Sequence, residues 1–183
     1  MPSGRFTPQA SAAALAVLEE AMRNEVDGRQ FYLQAAEKSV SPQSKATFTT
    51  LAADEAEHLR ILQKEYEALK GSGKWVAASK VIGPQERRAE PLFPRGKKAA
   101  ERTAQAIKSD LEALEFAMGI EERAFKLYSK ASQETDDPHA RALYKYLTLQ
   151  ENGHYKLIQR AHQYLTSPGE WYEEEEKPIF DGG

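Results

Sequence analysis

At 183 residues, with 40% hydrophobic and 29% charged residues and a formal charge of −3, the chain has the size and composition of one globular domain. The near-balanced charge argues against a dedicated nucleic-acid binder, which gathers a basic excess on one face. There is no cysteine, which removes disulfides, thiolate zinc sites, iron–sulfur clusters and cysteine nucleophiles together. The N-terminus, MPSGRFTPQA, lacks a basic segment leading into a long apolar core. The longest apolar run, Ala12 to Leu18, is far below the ~20 residues that span a bilayer, so the expected location is cytoplasmic, with no membrane and no nucleic-acid partner.

In chain order, Thr7-Pro8, Ser41-Pro42 and Asp137-Pro138 each place a side-chain acceptor at an N-cap and proline at the first helical position. Apolar residues then recur at three and four, as in Leu15, Leu18, Met22 and Val26. The patterns predict helices over about 9–39, 42–70, 105–134 and 138–165 in a single domain spanning 1–183. Gly71-Ser72-Gly73 closes the second helix, and Ser167-Pro168-Gly169 closes the fourth and opens a tail over 167–183. The stretch 71–104 has no sustained period, and a structureless link of that length inside a domain needs a reason. A crossover supplies one, since parallel second and third helices oblige the chain to travel the bundle length between them. Trp75, Val81, Ile82, Leu92 and Phe93 are candidates to pin it down, and its basic cluster (Arg87, Arg88, Arg95, Lys97, Lys98) and the acidic tail read as solvated surface or a salt contact between subunits.

The second half restates the first at a fixed offset of 96 residues, the separation of Glu25 from Glu121. Leu15, Leu18, Met22 and Tyr32 map onto Leu111, Leu114, Met118 and Tyr128, Pro42 onto Pro138, Phe48 onto Tyr144 and Leu51 onto Leu147. In the segment DEAEHLRIL, Glu55 and His58 recur as Glu151 and His154, whereas Asp54 becomes Gln150 and Glu57 becomes Gly153, so neither of the latter pair looks required. Glu25 and Glu121 are each followed seven residues later by tyrosine, Tyr32 and Tyr128, close to two turns on along the same helix face.

A Glu and a His three apart project from adjacent turns of one face. Two such helices, with two more carrying one Glu each, surround a pair of ions with four carboxylates and two imidazoles. That ligand set suits iron, manganese or zinc. Ala21, Gly28, Ala117 and Ala124 lie within a turn of Glu25 and Glu121 and leave room beside them. Glu19 and Glu115 also recur, but six residues from the Glu they precede turns them off its face, so they read as exposed or interhelical residues. Met22 and Met118 read as core fillers, and His139 and His162 as surface residues.

These four segments resemble the ferritin-like di-iron carboxylate superfamily and, within it, the rubrerythrin-like proteins. The resemblance implies an all-α, antiparallel four-helix bundle of two repeated hairpins joined by a long crossover. It implies two iron ions, with manganese or zinc as substitutes, held by Glu25, Glu55, His58, Glu121, Glu151 and His154. Glu55 and Glu151 would bridge, and Tyr32 and Tyr128 would bond to or shield the ligand carboxylates. Two departures stand out. The four-cysteine rubredoxin domain of full rubrerythrins has no counterpart in a chain without cysteine, which calls for an external electron donor. Met118 and Ala124 flank Glu121 where rubrerythrins carry a further glutamate that shifts with redox state.

The implied function is a di-iron oxidoreductase that reduces hydrogen peroxide or dioxygen, as a homodimer. The alternatives are a ferroxidase or iron-storage protein, which a shell-forming assembly would favour, and a di-iron monooxygenase, which a membrane-facing apolar surface would favour.

Overall fold

The computed structural model describes residues 8–82 and 108–167, which contain five helices and no strand. They are α1 (Pro8–Lys38), α2 (Pro42–Ser72), the short α3 (Ala78–Val81), α4 (Lys108–Glu134) and α5 (Pro138–Thr166). Two of the three anticipated N-caps fall in this region. The Ser41 hydroxyl accepts from the Ser44 N–H at 3.4 Å, and the Asp137 carboxylate accepts from the N–H groups of His139 at 2.8 Å and Ala140 at 3.1 Å. Thr7 lies outside the described residues. Helix α2 runs through Gly71 and Ser72 and stops at Gly73, whose φ of 67° is the left-handed conformation glycine adopts without a Cβ penalty.

Contacts between side chains set the direction of every helix. Tyr66 bonds Glu19 between α1 and α2, and His162 faces Glu115 between α4 and α5, so each hairpin is antiparallel. Glu19 and Glu115 are therefore interhelical, one to each hairpin. Tyr32 meets Glu121 while Tyr128 meets Glu25, which makes α1 and α4 antiparallel neighbours. Glu55 faces His154 while Glu151 faces His58, and the same holds for α2 and α5. Helices α2 and α4 are thus parallel across the diagonal, the relation on which the expected crossover rests.

Two apolar clusters lie at opposite ends of the bundle. One gathers Tyr32, Phe48, Leu51, Leu114, Ile158 and Tyr164; the other gathers Leu18, Ile61, Leu62, Tyr128, Leu143 and Leu147. Met22 and Met118 pack, partly buried, against one cluster each. The first part of the connecting segment is ordered against the second cluster. There the carboxylate of Glu65 accepts the Val76 N–H at 3.0 Å, Trp75 and Val81 are buried, and Ile82 packs partly buried beside them. The expected structureless link therefore contains a helical turn, held at its end by the Arg60 guanidinium donating to the Val81 carbonyl at 2.8 Å. Leu92, Phe93, the basic cluster of the link and the acidic tail lie outside the described residues. At the other end, Asp110 on α4 is buried and accepts the N–H groups of Val40 and Ser41, tying the start of the second hairpin to the loop of the first.

Candidate metal centre

Between the two clusters the bundle axis is lined by charge. Glu25 on α1, Glu55 and His58 on α2, Glu121 on α4, and Glu151 and His154 on α5 are all buried, none more than 5% exposed. The geometry sorts them. His58 Nδ1 lies 3.2 Å from Glu55 Oε2, 3.3 Å from Glu151 Oε1 and 3.5 Å from Glu25 Oε2. His154 Nδ1 lies 3.3 Å from Glu151 Oε2, 3.4 Å from Glu121 Oε2 and 3.9 Å from Glu55 Oε1. Glu55 and Glu151 therefore face both imidazoles through different oxygens, whereas Glu25 faces only His58 and Glu121 only His154. The two rings stack with centroids 5.3 Å apart.

One ring nitrogen offers a single proton or a single lone pair, so it cannot satisfy three carboxylates. Glu121 Oε2, both oxygens of Glu151 and His154 Nδ1 are buried with no hydrogen-bond partner among the described residues. Buried groups of this kind are costly unless a cation gathers them. Ligand atoms of Glu55, His58, Glu151 and His154 lie within 4.8 Å of one another, the spacing of a shared metal site. Four carboxylates and two imidazoles on facing helices fit a pair of ions, one beside each His, with two carboxylates between.

The electrostatics tell the same story. Burial pushes Glu55 well above the ordinary carboxylate range, and repulsion from Glu25 adds to it. Burial likewise raises Glu121, against the attraction of His154, to about 7. Burial acts on Glu151 in the same sense, but contacts to His154 and His58 outweigh it and hold this group below the usual range. For His58, burial disfavours the imidazolium; the surrounding Glu151, Glu25 and Glu55 overcome that and raise its pKa well above the ordinary value. Asp54, Glu121 and Glu151 do the same for His154. In the protein alone, protons take the place of metal charge.

Each tyrosine bonds to a candidate ligand carboxylate. Seven residues along a helix is about 10 Å, too far for Tyr32 to reach Glu25. Instead the Tyr32 hydroxyl donates to Glu121 Oε1, and Tyr128 donates to Glu25 Oε1, each crossing to the other repeat. Both phenols are raised well above their ordinary pKa, by burial first and by these carboxylates next. Gly28 adjoins the site, where a Cβ would stand 3.8 Å from Glu55 Oε1.

Asp54 enters the site although its failure to recur argued against it. Its Oδ2 lies 3.5 Å from His154 Nε2, on the far side of the ring from Nδ1. A carboxylate there fixes the tautomer and orients Nδ1 inward. Replacing Asp54 by Ala is expected to weaken metal binding about 10–100-fold, read by competition with a chromophoric chelator. Of the remaining histidines, His139 is exposed and His162 is directed to Glu115.

A cleft of about 290 Å³ between α4 and α5 is lined by Glu121, Glu122, Phe125, Glu151, Asn152 and Tyr155, so it leads directly to two of the six candidate ligands. The groove between α1 and α2, lined by Met22, Val26, Asp27 and Leu59 among others, contains none of them. The repeat explains the fold of both faces but not this difference: Asn152 and Tyr155 stand where the first half has Ala56 and Leu59.

The model of the Rubrerythrin family matches residues 16–162. A solved structure of a hypothetical protein from Pyrococcus furiosus is 25% identical, with a TM-score of 0.58, covering 81% of this chain and 87% of that one. No curated protein matches significantly.

Proposed function

Because the chain belongs to the rubrerythrin family, we propose that it is a di-iron oxidoreductase which reduces hydrogen peroxide or dioxygen at the Glu/His centre. The observation that carries this reading is the arrangement of Glu55 and Glu151, each facing both imidazoles, at a centre that a cleft reaches from one side. Two bound iron ions would supply two electrons to one O–O bond, so that no radical product need be released. Glu25, Glu121 and the two histidines would hold the ions together with Glu55 and Glu151, while the tyrosine hydroxyls lock the orientation of Glu25 and Glu121. Phe125 and Tyr155 line the cleft beside Glu121 and Glu151. Electrons reach the centre from an external donor, since the chain carries no thiolate of its own.

The test is stopped-flow absorbance of anaerobically iron-loaded protein mixed separately with peroxide and with dioxygen, with a Glu55→Ala/Glu151→Ala variant as control. A charge-transfer band of oxidised iron that forms faster with peroxide, and not in the variant, is the expected result. A faster reaction with dioxygen moves the assignment to iron oxidation and storage. No band dependent on the two glutamates overturns it.

A further inference from the structure

We propose that two copies of this chain pair along the outer face of α1, antiparallel about a two-fold axis at Leu33. Val26 and Leu33 stand seven residues apart, about two turns, on one face of α1, and Val40 follows seven further on, just past the helix end. They are 46%, 48% and 60% exposed. Val26 also lines the groove between α1 and α2, together with Met22 and Leu59. Because these two helices run antiparallel, the small residues Ala56 and Ala53 follow Leu59 along α2 toward the level of Leu33.

Single exposed apolar side chains are ordinary on any surface, and the repeat is what sets these apart. In the second hairpin the positions of Val26, Leu33 and Val40 are taken by Glu122, Ser129 and Asp136, and those of Ala56 and Leu59 by Asn152 and Tyr155. The two hairpins share one fold, so neither helix formation nor packing within the bundle asks for apolar residues on this outer face. A partner that covers it does.

The charges beside the apolar positions name that partner. Arg29 lies four residues before Leu33 and Glu37 four after it. Both are exposed, and neither is ion-paired among the described residues. In an antiparallel pair centred on Leu33, that residue meets its own copy. Val26 comes level with Val40 of the partner subunit, and Arg29 with Glu37 of the partner subunit, each contact occurring twice by symmetry. The result is an apolar centre flanked by opposite charges. A parallel pairing would set Arg29 against its own copy. The face is thus complementary to itself, in one orientation and one register.

The faces formed by α1 with α2 and by α4 with α5 lie on opposite sides of the bundle, since α1 neighbours α4 and α2 neighbours α5. Pairing through the first face therefore leaves open the cleft that reaches Glu121 and Glu151 on the second. Each copy keeps one approach to its own centre. The pairing itself does not depend on what that centre binds.

Sedimentation velocity of the full chain over a range of concentrations tests the proposal, and a dimer in the micromolar range is expected. Val26→Glu/Leu33→Ser installs the residues that the other repeat carries, at positions half exposed in the single chain, so helical circular dichroism should be unchanged while the dimer Kd rises about hundredfold or more. Arg29→Glu and Glu37→Arg are each expected to weaken the dimer about tenfold, and the two together to restore it. Because the chain has no cysteine, Leu33→Cys supplies a single thiol. A short bismaleimide is expected to join two copies through that thiol, and not through Glu122→Cys on the opposite face. A monomeric parent overturns the proposal, as does a dimer that Val26→Glu/Leu33→Ser leaves intact. Charge reversals that add instead of cancelling, or cross-linking through Glu122→Cys in place of Leu33→Cys, overturn it equally.

Discussion

Iron or zinc added to metal-free protein is expected to raise its Tm, and a Glu55→Gln/Glu151→Gln variant is expected to lose that rise altogether. Both residues face both imidazoles, so neutralising them removes the shared ligands of the two ions without opening a cavity. At a free metal concentration 100 times Kd the parent gains about 2.7 kcal/mol, or roughly 5–10 °C for a chain of this size. The single Glu55→Gln variant is expected to be at least as stable as the parent when both are metal-free, because it loses a carboxylate that burial and Glu25 push toward protonation, whereas Glu151→Gln also gives up the contacts of an ionised group to His58 and His154. Differential scanning calorimetry with and without metal measures both effects. A metal-dependent rise that survives in the variant would show that the ions sit elsewhere.

How much of this centre is legible in the sequence depends on whether a feature is local or set by docking. Glu55 and His58 lie three apart on one helix, and their recurrence as Glu151 and His154 is written in the chain, so their shared face follows from helix geometry alone. The same holds for the prolines at 42 and 138 that start α2 and α5. The partner of each tyrosine is a different matter. Periodicity assigns Tyr32 to the face of Glu25, but the level at which α1 meets α4 decides that its hydroxyl reaches Glu121. Asp54 was hidden for a related reason. An exact repeat puts Gln150 in its place, and only the approach of α2 to α5 brings Asp54 to His154. The cleft over Glu121 and Glu151 arises where the halves differ, and a search for what recurs passes over it. The repeat thus identifies what the metal pair needs twice, while its exceptions mark where the two sides of the centre divide their tasks.

Those exceptions leave the charge of the core itself nearly symmetric, and this makes the metal-free protein sensitive to alkali. Glu121 is fully buried, and its folded-state pKa stands near 7 against 4.5 for the free group. A carboxyl raised in this way is protonated in the folded state while the unfolded chain has already ionised. The folded state therefore binds more protons, and stability falls as pH rises from about 4.5 to about 7. Glu55 is shifted in the same sense. The raised pKa values of His58 and His154 also act in that direction, since their stabilisation is complete below the unfolded value and is lost as pH climbs through the folded one. Glu151 alone opposes, and its contribution is lost only in strong acid. For Glu121 the loss is on the order of 3 kcal/mol, so chemical denaturation of metal-free protein should give a lower unfolding free energy at about pH 8 than at about pH 5. Metal binding needs the deprotonated ligands and is strengthened over the same interval, so the loaded protein should lose less or gain. Equal slopes for the two forms would mean that protons and metal do not compete for these six side chains. A Glu121→Gln variant, which cannot ionise, should flatten the metal-free profile and leave the oxidation state of any bound metal out of the comparison.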